Sequence, residues 1–193
     1  MGMVGFWAMD YRFWSKMQAA GLVQSICIYA AMTADLHTYG MAHPNMSVHE
    51  AAEEADLMIL WGANLVSTGV HAIPFIREAK ERGMKLIVID PRVTRTTMMA
   101  DWHIQPKPGT DAALALGMMK VIVDKGLHDL DFLKEQTNGW EALIETELPD
   151  YPLDRVEKIT GVSATEIEKL ALEYASTKKS YIRANYGLNR HQN

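Results

Sequence analysis

Three groups of small, polar and charged residues lie beside short apolar stretches of this sequence, where their side chains and backbone could bind a ligand. The groups are Gly62-Ala63-Asn64, Asp90-Pro91-Arg92 with Thr94 close behind, and Gly109-Thr110-Asp111. One carboxylate at a strand end commonly accepts hydrogen bonds from ribose hydroxyls, and another could accept from the N1 and N2 donors of guanine. The groups therefore predict a nucleotide-bearing ligand, although neither G-x-G-x-x-G nor G-x-x-x-x-G-K-[ST] is present.

Each group also has a purely structural interpretation. The first could form a turn, the second a helix cap or an Asp-Pro turn, and the third could cap the N-terminus of a helix. The order and spacing of all three together favour the ligand. Arg92 and Arg95 lie beside the second group and predict a positive rim for phosphates, whereas the other basic residues of the 77–107 stretch are interpreted as solvated surface.

A parallel sheet is needed to bring the three groups together, and the sequence predicts one. The stretches 56–63 and 85–90 are mainly apolar, as expected of strands buried on both faces, and a helix is predicted over 70–82 between them. Strand, helix and strand in this order require a right-handed parallel crossover, so we predict a Rossmann-like, doubly wound α/β unit. Further elements are predicted as strands at 102–105 and 180–186, and helices at 111–125 and, after a capping box at 163–166, up to residue 176.

Helix-rich segments flank this unit on both sides. Helices are predicted at 6–20 and 27–39 before it, and shorter helices at 129–135 and 140–147 after it. We therefore divide the chain into three regions. Residues 1–45 are the helical part of a neighbouring lobe, residues 46–126 form the α/β unit, and residues 127–193 form a helical segment with a returning strand and a final loop.

Composition excludes several classes of function. The 193 residues carry a formal net charge of -5, which disfavours a nucleic-acid backbone as partner. A hydrophobic content of 48% can bury a sizeable core, but no apolar run approaches the ~18 residues of a membrane helix. The single cysteine, Cys27, excludes an internal disulfide and a cysteine-held cluster within this chain.

The motifs together resemble those of the dimethyl sulfoxide reductase superfamily of molybdopterin oxidoreductases, which includes formate dehydrogenases, nitrate reductases and polysulfide reductases. The segments that carry the resemblance are 62–64, 89–96, 100–101, 108–111 and 151–161. The fold implied is that of domains 1–3 of formate dehydrogenase and dimethyl sulfoxide reductase. The implied cofactor is bis(molybdopterin guanine dinucleotide) with molybdenum or tungsten, and the implied activity is two-electron redox chemistry at the metal.

The resemblance also implies roles for individual residues. One guanine dinucleotide would be lined by Asn64, Asp90, Arg92 and Asp111. Neighbouring positions of the same groups would also contact the cofactor, namely Gly62, Pro91, Thr94, Gly109 and Thr110. The loop at 187–192 would approach the pterin and phosphates through Gly187, Asn189, Arg190 and Gln192.

Cys27 has two interpretations. A lone cysteine is usually an inert, buried hydrophobe. In the resembled family, however, a cysteine, selenocysteine, serine or aspartate in this place ligates the metal. We therefore predict Cys27 as the catalytic metal ligand, because a soft thiolate suits a metal that cycles between two oxidation states.

The resemblance further implies partners outside this chain. A [4Fe-4S] cluster is expected in a preceding segment, and an electron-transfer iron–sulfur subunit and a small-molecule substrate are expected as partners. The chain is then the central fragment of a larger catalytic subunit, inactive in isolation and completed by the rest of that subunit.

Two departures from the family pattern bear on the activity. Ile28 stands where formate dehydrogenases usually have a histidine after the ligand, and Ala72 stands where a proline usually follows the family histidine, here matched by His71. A typical formate dehydrogenase is therefore disfavoured. Two rival functions stay open: a non-redox hydratase that uses the same cofactor, and a nucleotide-binding module without chemistry.

Overall fold

The computed structural model describes residues 3–20, 28–41 and 47–188. Its strands are β1 Leu57–Trp61, β2 Lys85–Ile89, β3 Trp102–Ile104 and β4 Ser180–Ala184. Its helices are α1 Met3–Lys16, α2 Ile28–Tyr39, α3 Val48–Glu54, α4 Leu65–Thr68, α5 Ile73–Glu81, α6 Asp111–Asp124, α7 Leu130–Gln136, α8 Trp140–Ala142, α9 Leu153–Thr160 and α10 Ala164–Ser176. Turns of 3₁₀ helix lie at Val70–Ala72, Thr97–Met99 and Leu148–Asp150, and a π-helical turn lies at Leu143–Glu147.

The strands form a parallel sheet in the order β3-β2-β1-β4. Ile59 of β1 pairs with Ile87 of β2 on one side and with Ile182 of β4 on the other. The chain therefore runs outward from β1 to β3 and then returns to the opposite side of β1. The order reverses between β1 and β4, and such a switch point is where open α/β sheets bind ligands. The predicted doubly wound parallel sheet is confirmed.

The sheet buries both of its faces, which explains why β1 is apolar throughout. Leu57, Ile59 and Trp61 pack on the side of α6, α9 and α10, while Met58 and Leu60 pack on the side of α3 and α5. Burying one side chain of this size contributes about 1.5–3 kcal/mol. The two apolar faces of β1 thus fix the strand whose end begins the predicted site.

Two helices, α4 and α5, lie between β1 and β2, and α5 begins later than the predicted helix. The prediction of one helix over 70–82 is wrong at its start, because Val70–Ala72 form a separate 3₁₀ turn and α5 begins at Ile73. Pro74 explains the difference. Proline has no backbone N–H and clashes with the preceding turn, so it is tolerated in the first turn of a helix but not in its interior.

Other boundaries differ from prediction in smaller ways. The first helix ends at Lys16 rather than at residue 20, and β4 ends at Ala184 rather than at 186. The predicted helix 140–147 is regular only over α8 and continues as the π-helical turn. The predicted capping box is confirmed: the Ser163 hydroxyl accepts from the Glu166 N–H at 3.3 Å, and α10 ends at Ser176 as predicted.

The predicted division of the chain at residues 45 and 126 stays a prediction. β4 lies beyond residue 126 and joins the same sheet as the strands before it. Among the described residues, no helix is both long and apolar enough to cross a membrane.

Candidate functional site at the carboxyl edge of the sheet

The predicted groups lie at the carboxyl edge of the sheet, where the loops after the strands are tied together. Three backbone hydrogen bonds join them: Gly62 N–H to Ile89 O at 2.8 Å, Asp90 N–H to Ile104 O at 3.1 Å, and Asn185 N–H to Trp61 O at 3.0 Å. The first group follows β1, the second follows β2, the third follows β3, and Gly187 follows β4. The sheet register therefore collects at one edge the predicted site residues that the structure describes.

Two glycines meet at the switch point between β1 and β4. Gly62 has φ +59, a left-handed backbone that glycine adopts most easily. A Cβ on Gly187 would lie 2.8 Å from the carbonyl oxygen of Gly62, and a Cβ on Gly62 would lie 2.7 Å from Cδ1 of Leu188. The loops after β1 and β4 thus approach so closely that the two positions favour residues without a side chain.

Asn64 is oriented by a threonine from the loop after β2. The Thr96 hydroxyl donates to Asn64 Oδ1 at 2.7 Å and accepts from the Val66 N–H at 3.1 Å. Thr96 is 1% exposed. Because the amide oxygen of Asn64 is already engaged, the amide N–H₂ is the group that Asn64 can offer to a ligand.

The turn after β2 is held by the Asp90 side chain. Asp90 Oδ1 accepts from the Arg92 N–H at 2.8 Å, so the structural interpretation of an Asp-Pro turn is realised. His103 Nε2 lies 2.8 Å from the Asp90 carbonyl oxygen and supports the turn from β3. A carboxylate offers about four acceptor positions, so the turn leaves Asp90 capacity for a ligand. The Arg92 residue is exposed at the same edge.

The Thr/Arg-rich loop after β2 is fastened within itself and to α5. The Thr94 N–H donates to the Thr97 hydroxyl at 2.8 Å, and the Thr97 N–H donates to the Thr94 hydroxyl at 3.2 Å. At the end of the loop, the Asp101 carboxylate accepts from Lys80 Nζ at 2.8 Å and from the Leu86 N–H at 2.8 Å. The Thr94 hydroxyl thus has a structural role, and its contact with a cofactor stays a prediction.

The side-chain carboxyl of Asp101 has a lowered pKa. Burial by itself would raise the pKa of this carboxyl, but the hydrogen bonds from Lys80 and the Leu86 amide, with the charges of Lys80 and Lys85, outweigh it and lower the pKa. The folded state therefore binds fewer protons at Asp101 than the unfolded state, whose aspartates titrate near ~3.9. This contribution to stability is present above about pH 4 and is lost as the pH falls through the folded-state pKa.

Asp101→Asn is therefore expected to lower the urea midpoint of unfolding most at neutral pH. The difference from wild type should shrink below about pH 4, because the wild type loses the same charge there. Urea unfolding at a series of pH values from 7 to about 3 measures it. Asp154→Asn is the control, since it removes an ion pair with Lys158 in which the aspartate side chain is 73% exposed. A difference at Asp101 that does not depend on pH would contradict the charge argument.

The third group places a buried carboxylate at the start of α6. Asp111 is 9% exposed, and its Oδ1 accepts from Trp61 Nε1 at 2.7 Å. Gly109 has φ +80 and provides the left-handed turn before the helix. Thr110 does not cap α6 with its side chain; its hydroxyl donates to the Lys107 carbonyl at 2.7 Å.

Four predicted site residues lie outside the described residues: Cys27, Asn189, Arg190 and Gln192. Their roles stay predictions. Within the described part of the chain, no group of three or more His, Cys, Asp or Glu side chains could hold a metal ion. The described edge offers carboxylate acceptors, an amide donor, a guanidinium and exposed backbone, a set suited to binding a polar, anionic ligand.

Similarity to known proteins agrees with this arrangement. The family model described as molybdopterin oxidoreductase matches residues 8–191 of the chain. The chain belongs to the molybdopterin oxidoreductase family. The match includes the whole sheet and the loops at its carboxyl edge.

Relatives within the molybdopterin oxidoreductase family are much longer than this chain. A probable oxidoreductase of Bacillus subtilis, YoaE, is 39% identical over 196 residues, covering 100% of this chain and 28% of the relative. The assimilatory nitrate reductase catalytic subunit of the same organism is 37% identical and covers 78% of the chain and 21% of the relative. The solved structure of acetylene hydratase from Pelobacter acetylenicus superposes with a TM-score of 0.67 at 34% identity, covering 75% of this chain and 21% of that one. The chain spans about a fifth to just over a quarter of the length of these relatives.

Sequence reasoning missed several residues that shape the candidate site. It gave no role to Trp61, Thr96 or Lys80, whose partners lie 50, 32 and 21 residues away. Arg183 was also missed: its Nε is buried without a hydrogen-bond partner in the described part of the chain. An arginine within an otherwise uncharged strand was the available signal for Arg183, and an indole at the end of an apolar strand was the signal for Trp61.

Proposed function

We propose that this chain binds one guanine dinucleotide arm of bis(molybdopterin guanine dinucleotide) in a molybdenum or tungsten enzyme with two-electron redox activity. The observation that carries the proposal is the buried Asp111 carboxylate at the carboxyl edge of the sheet, in a member of the molybdopterin oxidoreductase family. A buried charge requires hydrogen-bond partners. Guanine offers two adjacent donors, N1–H and the N2 amino group, on the edge that a carboxylate can accept from.

The other groups at the edge fit the remaining parts of a dinucleotide. Asp90 follows β2, where an acidic residue commonly accepts from ribose hydroxyls. Arg92 and the amide N–H₂ of Asn64 are donors for phosphate oxygens, and arginine binds phosphate bidentately. Gly62 and Gly187 leave only backbone at the switch point, so an extended ligand can approach the chain closely.

Arg183 adds support for an anionic ligand. It is the last residue but one of β4 and pairs in register with Leu60. A buried guanidinium N–H without an acceptor is destabilising, because the group has lost water without gaining a partner. A phosphate or other anionic group of the cofactor would supply that acceptor.

Catalysis by the whole protein is proposed to use groups beyond the described edge. Cys27 is assigned as the protein ligand of the metal on the family resemblance. The bound cofactor supplies a metal centre that takes up or releases two electrons, while the residues of this chain bind and orient it. The electrons are proposed to pass to a [4Fe-4S] cluster outside this chain and then to an iron–sulfur subunit, and the substrate is a small molecule.

The proposal is tested on the full-length protein, purified from a host that makes the cofactor. Elemental analysis should find equimolar molybdenum or tungsten, and acid hydrolysis should release guanosine monophosphate in twice that amount. Metal with a cytidine nucleotide, or with no nucleotide, would contradict the guanine assignment. Absence of both metals would instead favour a nucleotide-binding module without chemistry.

A hydratase is the second candidate, favoured by one observation. Acetylene hydratase of Syntrophotalea acetylenica is 35% identical to this chain over 172 residues, which is 89% of the chain and 23% of that protein. An oxidoreductase needs an electron acceptor or donor, whereas a hydratase consumes its substrate without one. Turnover of candidate substrates by the full-length protein, with and without a viologen dye, separates the two.

A further inference from the structure

The hydrogen bond between Trp61 and Asp111 joins the end of β1 to the start of α6. Trp61 is 5% exposed, and its Nε1 lies 2.7 Å from Asp111 Oδ1, which is short for an N–H···O bond and typical of a charged acceptor. The indole N–H is a donor only and the carboxylate is an acceptor only. Each group therefore satisfies a need that burial creates in the other.

Both partners are held by the core, so the hydrogen bond has little freedom. Trp61 belongs to the apolar cluster that contains Ile89 and Ile104, the last residues of β2 and β3. Leu114, one turn after Asp111, is fully buried in the same cluster. The indole cannot follow a rotating carboxylate without disturbing this packing. The hydrogen bond therefore fixes the orientation of the Asp111 side chain.

We propose that Trp61 is a positioning residue that makes Asp111 selective for guanine, an inference that rests on the proposed function. Of the roughly four acceptor positions on the carboxylate, the indole occupies one on Oδ1 and sets the plane of the group. The fixed plane presents both oxygens to two parallel donors. Guanine has these at N1 and N2, hypoxanthine has only the N1 donor, and adenine has an acceptor at N1.

A merely structural role for Trp61 predicts something different. If the indole only joined β1 to α6, its loss would lower the affinity of every ligand at this edge by the same factor. If it orients the carboxylate, its loss lets Asp111 rotate towards a single donor, and the contact to the second donor is weakened selectively. The ratio of the affinities for guanine and hypoxanthine nucleotides therefore separates the two roles.

The test uses the full-length protein from a host that cannot make the cofactor, titrated calorimetrically with guanosine diphosphate and with inosine diphosphate. The variants are Trp61→Phe, which removes the donor and keeps an aromatic ring, and Trp102→Phe, the matched control. Trp102 packs against the same cluster, and its ring faces Lys169 Nζ at 4.6 Å. Asp111→Asn is included as the loss of the proposed acceptor.

Wild type should prefer guanosine diphosphate by about tenfold, and Trp61→Phe should reduce that preference by about three- to tenfold. Trp102→Phe should retain the preference. Equal weakening of both nucleotides in Trp61→Phe, an unchanged preference, or the same loss in Trp102→Phe would overturn the inference and leave the proposed function standing. A wild type that binds both nucleotides equally, or neither, and does not respond to Asp111→Asn would overturn the proposed guanine site as well.

Discussion

Gly187→Ala is expected to reduce the metal content of the purified full-length protein to roughly a tenth, while the chain still folds. The added Cβ would lie 2.8 Å from the backbone carbonyl oxygen of Gly62, closer than non-bonded atoms tolerate. A backbone atom cannot move aside as a side-chain tip can, so the loops after β1 and β4 must separate. That separation opens the switch point where the cofactor is proposed to lie. Metal content per chain and the thermal midpoint are measured together.

Gly126→Ala is the matched control for this substitution. Gly126 has φ +65 and no atom within 4 Å of a built Cβ, so alanine there strains the backbone without a clash. Its cost is about 1–2 kcal/mol, and it lies after α6, at the opposite end of that helix from Asp111. Gly126→Ala should lower the thermal midpoint and keep the metal. Full metal content in Gly187→Ala would show that the contact between Gly62 and Gly187 is not part of the cofactor site. Equal metal loss in both variants would show that the metal is lost because the fold is less stable.

The sheet was predictable from the sequence because its signals are local. The five residues of β1 are all buried, and so are four of the five in β2, which gives two short apolar runs of strand length. The Ser163 capping box likewise lies within four consecutive residues. The start of α5 was missed although its cause, Pro74, is also local, because the apolar residues on either side continue the helical pattern.

The location of the candidate site residues in the fold was predictable from the sequence, but their hydrogen-bond partners were not. Chain order and the parallel crossover were enough to place Asn64, Asp90 and Asp111 at one edge. The partners of Asn64 and Asp111 are Thr96 and Trp61, and each pair is far apart in sequence. Such contacts depend on sheet register and rotamers, which periodicity does not encode. The spacing identified candidate ligand groups, and only the folded chain showed which atoms remain free to bind.

Substitutions at Asp111 are expected to lower the cofactor content of the full-length protein. The activity per bound metal should stay near that of wild type. Asp111→Ala would leave the donors of the proposed guanine and the buried Trp61 N–H unpaired, and each unpaired buried group costs roughly 1–3 kcal/mol. Asp111→Asn retains an oxygen for Trp61 but would place an N–H₂ where the proposed guanine needs an acceptor. Both should therefore lower molybdenum content, and only the alanine variant should also lower the urea midpoint substantially. Normal metal content in both would remove Asp111 from the site.

Cys27→Ser is expected to have the opposite effect: it should keep the metal and lose activity. The proposed bis(molybdopterin guanine dinucleotide) would supply the metal with four sulfur ligands from its two pterins, so one changed protein ligand should leave most of the molybdenum in place. The serine oxygen is a harder donor than a thiolate, which shifts the reduction potential and suppresses turnover. For Cys27→Ser we expect a metal content near that of wild type and a strongly reduced activity per metal. For Asp111→Asn we expect the reverse, a reduced metal content with normal activity per metal. If Cys27→Ser turns over normally per metal, then Cys27 is a core residue and the metal ligand lies elsewhere.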